Sequence, residues 1–371
     1  MNPFLSHPKK LLAIKLRSLG DTALLGASLD ALHAAYPDAQ IHIAVPTPWA
    51  PLFIHHPAID RIWPVDRHQD KIARGKAIAR AALLLRKEGF DAALNFHASP
   101  SSATLALATG ARVRAVNFHS GKAKNRYSSL EIPGHNAPNQ ASRTILERDL
   151  DTVRALGVQV PEGKFRPSVH LKPSEMNSGF QMLEAMGLRR PILALGLGSS
   201  RPTKHWGEDK FAEVAAGWTS RTGGGVLLIT GPGEQARAQS VLQQIGALGA
   251  AGSSVGHLHN AELRVLAAGL SQSAAYGGND SGPKHIAAAV GIPTVTVFGP
   301  EAPDQWHCYS TDRHPYFYIP ALPCRKDALP GNPDWCALQK CDVEKHRCMT
   351  SITVAPVLDA CIRVATEAGR Q

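Results

Sequence analysis

The chain has 371 residues, 44% of them hydrophobic and 19% charged, a balance that supports a large buried core and excludes disorder. Its 32 glycines and 27 prolines show no three-residue period, and no apolar run reaches the roughly 18 residues of a membrane span. Collagen-like and membrane-spanning classes are therefore excluded, and with no signal peptide evident a soluble, cytoplasmic protein is expected. The net charge of +10 is concentrated, because stretches 61–87 and 112–126 hold thirteen cations and only two acids. Such a field marks a solvated face or an acidic partner. Nucleic acid is not expected, since no recognition helix or ribonucleoprotein motif accompanies the charge.

In chain order, Leu11–Leu16 reads as a buried strand, Arg17–Asp21 as a turn and Thr22–Tyr36 as an apolar-periodic helix. Ile41–Val45 follows as a strand and Lys71–Glu88 as a helix stopped by Gly89, and Ala92–Phe96, Ser101–Thr109 and Val113–Asn117 continue the alternation. A helix over Ala141–Leu156 ends at Gly157, and the proline-rich Val158–Pro173 reads as a linker. The alternation restarts with the strand Pro191–Leu195, a glycine-rich loop and the helix Lys210–Ser220. Val226–Thr230, Glu234–Gly246, Ala261–Leu270, Ala274–Gly277, Pro283–Val290 and Thr294–Phe298 complete it. Two such series imply an α/β protein of two doubly wound parallel sheets facing across a cleft. The expected domains are 1–160 and 174–350, joined by a linker at 161–173. Residues 351–371 are expected to form a helix packing back toward the N-terminal domain.

Ligands in such sheets lie beyond the carboxyl ends of the strands, where helices begin, and three loops at those places carry unusual chemistry. In Ser18-Leu19-Gly20-Asp21, Asp21 opens a helix, either as its N-cap or as a proton acceptor for a substrate hydroxyl. In Gly196–Trp206, small and hydroxyl residues let backbone amides approach an anion while Arg201 and Lys204 supply charge, although an ordinary basic loop reads the same way. This loop is not a Walker A motif. In Gly277–His285, Pro283 suits a first helical turn, which puts Ser281 and Gly282 at a helix N-terminus fit for a phosphate, or in a simple capped turn.

At these residues the sequence resembles glycosyltransferase family 9, the ADP-heptose:lipopolysaccharide heptosyltransferases. The matching pieces are K-L-R-S-L-G-D at 15–21, G-S-S-R-P-T-K-H-W at 198–206 and N-D-S-G-P-K-H-I-A-A-A-V-G-I-P-T-V-T-V-F-G-P at 279–300, with G-P-G-E at 231–234 and C-M-T-S-I-T at 348–353. The resemblance spans nearly the whole chain. It implies a GT-B fold of two Rossmann-like domains, the first binding acceptor and the second the nucleotide-sugar donor. It implies an inverting transferase that moves a heptose from ADP-heptose to a hydroxyl of the lipopolysaccharide inner core, with no metal required.

Residue by residue, Asp21 matches the family's proposed general base. Ser199, Ser200 and Lys204 match contacts to the donor phosphates, and Glu234 the acid that holds the ribose. Asp280 matches the contact to the heptose hydroxyls, and Ser281 and Gly282 the helix end under the diphosphate. His285, one turn on, goes with them, with a structural role as its alternative. The cationic stretches then suit a phosphorylated, carboxylate-bearing acceptor, with Arg61, Arg67, Lys71, Lys122, Lys124 and Arg126 as candidate contacts. The acceptor's lipid anchor implies peripheral contact with an anionic inner-membrane surface. A relative that modifies protein, or a catalytically idle nucleotide-sugar binder, are the alternatives, and the intact Asp21, Lys204 and Asp280 argue against the second.

All six cysteines follow residue 307, and Cys324, Cys336, Cys341 and Cys348 are spaced C-x11-C-x4-C-x6-C. That is not a zinc-ribbon spacing, and a reducing cytoplasm disfavours disulfides. A related branch of the family binds iron through four cysteines, so these four are either metal ligands or reduced structural thiols.

Overall fold

A computed structural model describes residues 7–66, 68, 70–118, 127–132, 143–249, 254–325, 336, 338–341 and 346–370. The chain divides into two compact units, Met1–His170 and Leu171–Gln371.

The first unit runs β1 (Lys10–Ile14), α1 (Leu19–Ala23), α2 (Leu25–Ala35), β2 (Gln40–Pro46), β3 (Arg61–Val65), α3 (Lys71–Arg86), β4 (Ala92–Asn95), α4 (Pro100–Ala108), β5 (Val113–Val116) and α5 (Ile145–Arg154). Its strands are all parallel, in the order β3-β2-β1-β4-β5. The chain starts in the middle at β1, winds outward to β3, and returns to β4 on the other side of β1. The loops after β1 and β4 therefore open at a topological switch point. Leu12, Ile14, Ala44, Leu85, Phe90, Ala93 and Leu105 fill one core of this sheet. Along β1, β2 and β4 nearly every residue is buried, as in a parallel sheet covered on both faces.

The second unit repeats the plan with α6 (Pro173–Ala185), β6 (Ile192–Gly196), α7 (Glu208–Thr222), β7 (Gly225–Thr230), α8 (Gln235–Ala247), β8 (Val255–His259), α9 (Leu263–Ser271), β9 (Ala275–Asn279), α10 (Gly282–Ala289) and β10 (Thr294–Val297). Three short elements, α11 (Pro303–Trp306), β11 (Tyr316–Phe317) and α12 (Arg347–Thr350), and the long helix α13 (Val354–Ala368) complete it. The sheet order is β11-β10-β9-β6-β7-β8, all parallel, so the switch point lies between β6 and β9.

Several elements depart from the sequence expectations. The single helix expected over Thr22–Tyr36 is two, with α1 starting earlier and ending at Leu24. The edge strand β3 and the helix α6 were not expected at all. In β3 only Val65 is buried, and Arg61 and Pro64 break the apolar pattern. In α6 only Gly179 and Leu183 are buried. Gly179 is needed because a Cβ there would lie 2.5 Å from the Ala268 carbonyl of α9.

Helix α13 buries Val357, Leu358, Cys361 and Val364 in the core of the second unit, with Trp218 and Leu195. Gly217 of α7 makes the room, since a Cβ there would meet Leu358 Cδ2 at 2.4 Å. The amphipathic stripe of α13 packs on the face formed by α7, β9 and β10.

Candidate active site

In the first unit, β1 delivers the chain to Lys15, which is fully buried and ion-paired with the equally buried Asp149 of α5. Ser18 then caps α1, its hydroxyl accepting the Asp21 backbone N–H at 3.3 Å. The cap is therefore Ser18 rather than Asp21. Leu19 and Gly20 take helical geometry, which carries Asp21 into the first turn with only 4% exposure. From the far side of the switch point, His97, just beyond β4, places Nδ1 2.9 Å from Asp21 Oδ2.

Of the expected acceptor contacts, Lys71 opens α3, which follows the carboxyl end of β3. Arg61 does not join it. It begins β3, at the amino end of a parallel sheet, where it stacks over Trp63 at 3.9 Å and pairs with Glu88 at 3.1 Å. Ligands bind at the opposite ends of such strands. Charge alone placed it in the set. Arg67, Lys122, Lys124 and Arg126 lie outside the described residues.

In the second unit, the loops after β6 and β9 meet as the switch point requires, with Leu195 beside Gly277 and Gly196 beside Gly278. Lys204 Nζ donates to Asp280 Oδ2 at 2.6 Å and to Glu301 Oε2 at 3.0 Å. Lys284 Nζ donates to Asp280 Oδ1 at 2.6 Å, and Arg201 donates to Glu301 Oε1 at 2.5 Å. Burial pulls the Lys204 ammonium down, but Asp280 and Glu301 outweigh it and hold its pKa above the usual lysine value. Burial likewise pushes the Asp280 carboxyl up, yet Lys204 and Lys284 hold it far below the carboxylate range. Three cations and two carboxylates thus form a network with one net positive charge, suited to an arriving anion.

Around this network, Glu234 accepts the backbone N–H of Ser199 at 3.2 Å and of Gly231 at 2.8 Å, tying two expected donor loops together. Ser199 Oγ donates to the Arg201 carbonyl, while Ser200 is exposed. Ser281 caps α10 and Gly282 starts it. His285 is buried and its Nδ1 lies 2.7 Å from the Tyr309 hydroxyl. Gly198 faces Glu234 so closely that a Cβ would stand 2.2 Å from Oε2. Gly198→Ala is therefore expected to displace the Glu234 carboxylate and weaken nucleotide binding by about 10-fold, roughly one hydrogen bond to a charged group, as titration calorimetry with ADP would measure. Unchanged ADP affinity would detach Glu234 from nucleotide binding.

Sequence reasoning missed Glu301, Lys284 and His97 as members of these groups. Lys284 stands four residues from Asp280 on the helical side and was legible in principle. Glu301 and His97 were not, because their partners are 97 and 76 residues away.

The four cysteines lie near one another, and burial first, with added repulsion from Cys341, Cys324 and Cys336, pushes the Cys348 thiol up to about 11. Among the described residues no three His, Cys, Asp or Glu side chains stand close enough to share a metal ion.

Residues 78–328 match the family described as "Glycosyltransferase family 9 (heptosyltransferase)". The chain is 24% identical over 290 residues to lipopolysaccharide heptosyltransferase 3 of Escherichia coli (strain K12), covering 76% of this chain and 80% of that one. Among solved structures it is similar to E. coli ADP-heptose lps heptosyltransferase II, with a TM-score of 0.72 at 19% identity over 97% of this chain and 99% of that one. It is also similar to E. coli heptosyltransferase WaaC with ADP-2-deoxy-2-fluoro heptose, with a TM-score of 0.62 at 19% identity over 87% of this chain and 95% of that one. The likeness to solved structures shows the GT-B fold.

Proposed function

The chain belongs to glycosyltransferase family 9, the heptosyltransferases, and from that premise we propose that it moves a heptose from ADP-heptose to a hydroxyl of the lipopolysaccharide inner core, with inversion at the sugar. The observation that carries this reading is the Lys204–Asp280–Glu301–Lys284 network at the carboxyl ends of the second sheet. Lys204 meets the departing diphosphate, with Ser199, Ser200 and the α10 end at Ser281 and Gly282 supplying hydrogen bonds. Glu234 holds the ribose, and Asp280, whose carboxylate is kept ionised, accepts from the heptose hydroxyls. His285, one turn along α10, joins the donor side or holds that helix to Tyr309. Asp21 takes the proton of the attacking hydroxyl.

In this reading the acceptor is bound within 1–160 and the donor within 174–350. Lys71 is retained for the acceptor, together with Arg67, Lys122, Lys124 and Arg126. The test is transfer itself. Purified protein, ADP-heptose and delipidated inner-core oligosaccharide are expected to give a product whose new glycosidic bond is inverted relative to the donor, read by NMR. Retention of configuration, or turnover only with another sugar nucleotide, would contradict it.

We further propose a cytoplasmic enzyme touching an anionic membrane surface through α3. No helix among the described residues is long and apolar enough to cross a membrane. On α3, Ile72 and Leu83 are 70% and 67% exposed. They share the outward stripe with Lys76, Arg80 and Lys87, and the helix contains no acid. Such a stripe favours an anionic interface, which adds about 1 kcal/mol per cation near the surface. The protein is expected to sediment with phosphatidylglycerol vesicles at low salt and not with phosphatidylcholine vesicles, and an Ile72→Asp/Leu83→Asp variant to lose most of that binding. Equal binding to both lipids would remove α3 as the contact.

A further inference from the structure

Among the described residues of the first unit, two non-glycine backbones sit in the left-handed region, Ser18 at φ 28° and His97 at φ 57°. Both bond Asp21. That conformation is disfavoured for residues with a Cβ and persists where the surroundings over-determine it, typically at functional sites. The Ser18 hydroxyl fixes the backbone of Asp21 at 3.3 Å, and His97 Nδ1 stands 2.9 Å from its Oδ2. An ionised carboxylate only accepts, so the nitrogen facing it carries the proton and donates. The loops come together by topology, since Ile14 pairs with Asn95 in the register of β1 and β4, and the Phe96 N–H donates to the Ile14 carbonyl at 2.9 Å.

We infer that His97 is a positioning residue for the transfer reaction, its Nδ1–H holding the Asp21 carboxylate in the orientation from which it takes the acceptor's hydroxyl proton. The inference rests on the reading of Asp21 as the base. In the step, the hydroxyl proton passes to Asp21, and the hydroxyl oxygen bonds to the anomeric carbon. The bond from that carbon to the diphosphate oxygen breaks, with its electron pair leaving on ADP. His97 keeps its proton throughout. What it supplies is placement, and a misplaced reacting group loses rate steeply.

Two variants separate the side chain from the strained backbone. His97→Gly tolerates the left-handed conformation and removes the donor. His97→Asn also tolerates it and returns an N–H donor near the place of Nδ1. His97→Gly is expected to lower kcat by about 10- to 100-fold with the ADP dissociation constant unchanged. His97→Asn is expected to recover most of the lost kcat. Wild-type kcat in His97→Gly, while Asp21→Asn remains crippled, overturns the inference and leaves Asp21 as the base. An Asn variant no better than the Gly variant overturns it as well. Near-wild-type turnover in folded Asp21→Asn removes the base and the inference with it.

Discussion

Asp21→Asn is expected to lower kcat by about 10²- to 10⁴-fold, the range that general-base assistance contributes, while the affinity for ADP stays within about twofold because no change in binding accompanies loss of the base. The substitution nearly preserves shape. The backbone N–H of Asp21 still reaches Ser18 Oγ, so α1 keeps its cap. His97 Nδ1 still finds a side-chain oxygen to donate to, so the pair need not come apart. What disappears is the capacity of a buried group, 4% exposed, to accept a proton. Stopped-time assays with saturating ADP-heptose, alongside calorimetric titration with ADP, separate the two effects. A variant that melts like wild type and turns over at a comparable rate would return Asp21 to the status of a first-turn helix residue.

The second large effect is expected at Asp280. Its two carboxylate oxygens are divided between two buried ammonium groups, Lys204 at one and Lys284 at the other. Asp280→Ala leaves Lys204 with Glu301, and Lys284 with the Trp306 carbonyl at 3.2 Å. Removing one partner of a buried pair costs about 3–5 kcal/mol, so the melting temperature should drop by about 10 °C. The pH dependence follows from the direction of the shift. Because the folded carboxyl is held far below its usual range by Lys204 and Lys284 against the cost of burial, the pair's contribution is fully present above the unfolded pKa of about 3.9. It is lost progressively as pH falls below that value. Wild type should therefore lose stability between about pH 5 and pH 3 more steeply than the alanine variant does, and the two curves should converge in acid. Parallel curves across that window would mean the network is not anchored on Asp280. Donor affinity should fall as well, and more for the sugar nucleotide than for ADP, since the sugar is what Asp280 is proposed to hold.

What could be read in the sequence was chemistry carried by neighbours in the chain. The segment Asn279-Asp280-Ser281-Gly282-Pro283 announces a strand end, an acid and a helix start within five residues, and β9 and α10 meet there. The identity of the cap at α1 was harder, because Ser18 and Asp21 are both good N-caps. Only the helical geometry of Leu19 and Gly20 decides between them. The edge strand β3 was hidden because a strand with one buried residue has no alternation to see. Its charge was plain, yet which end of the strand carried Arg61 was not, and that end decides whether a cation can meet a ligand. His97 and Glu301 were out of reach for a different reason. Each joins its partner through the order of strands in a sheet, and that order emerges only from long-range pairing.

The position of α13 bears on how the protein is made. Every strand of the second sheet precedes it in the chain, yet Val357, Leu358, Cys361 and Val364 belong to the core that those strands share. Synthesis proceeds from the N-terminus at about 5–20 residues per second, and domains tend to fold as they emerge. The first sheet, with all five strands finished by Val116 and α5 by Arg154, has its parts long before the ribosome reaches Val354. The second waits, with the face of α7, β9 and β10 uncovered, until the last turns of α13 are out. A ribosome stalled before that point holds a chain with one half complete and the other presenting an apolar surface to chaperones and proteases. Damage to α13 should accordingly show first in yield, ahead of any change in the enzyme that survives.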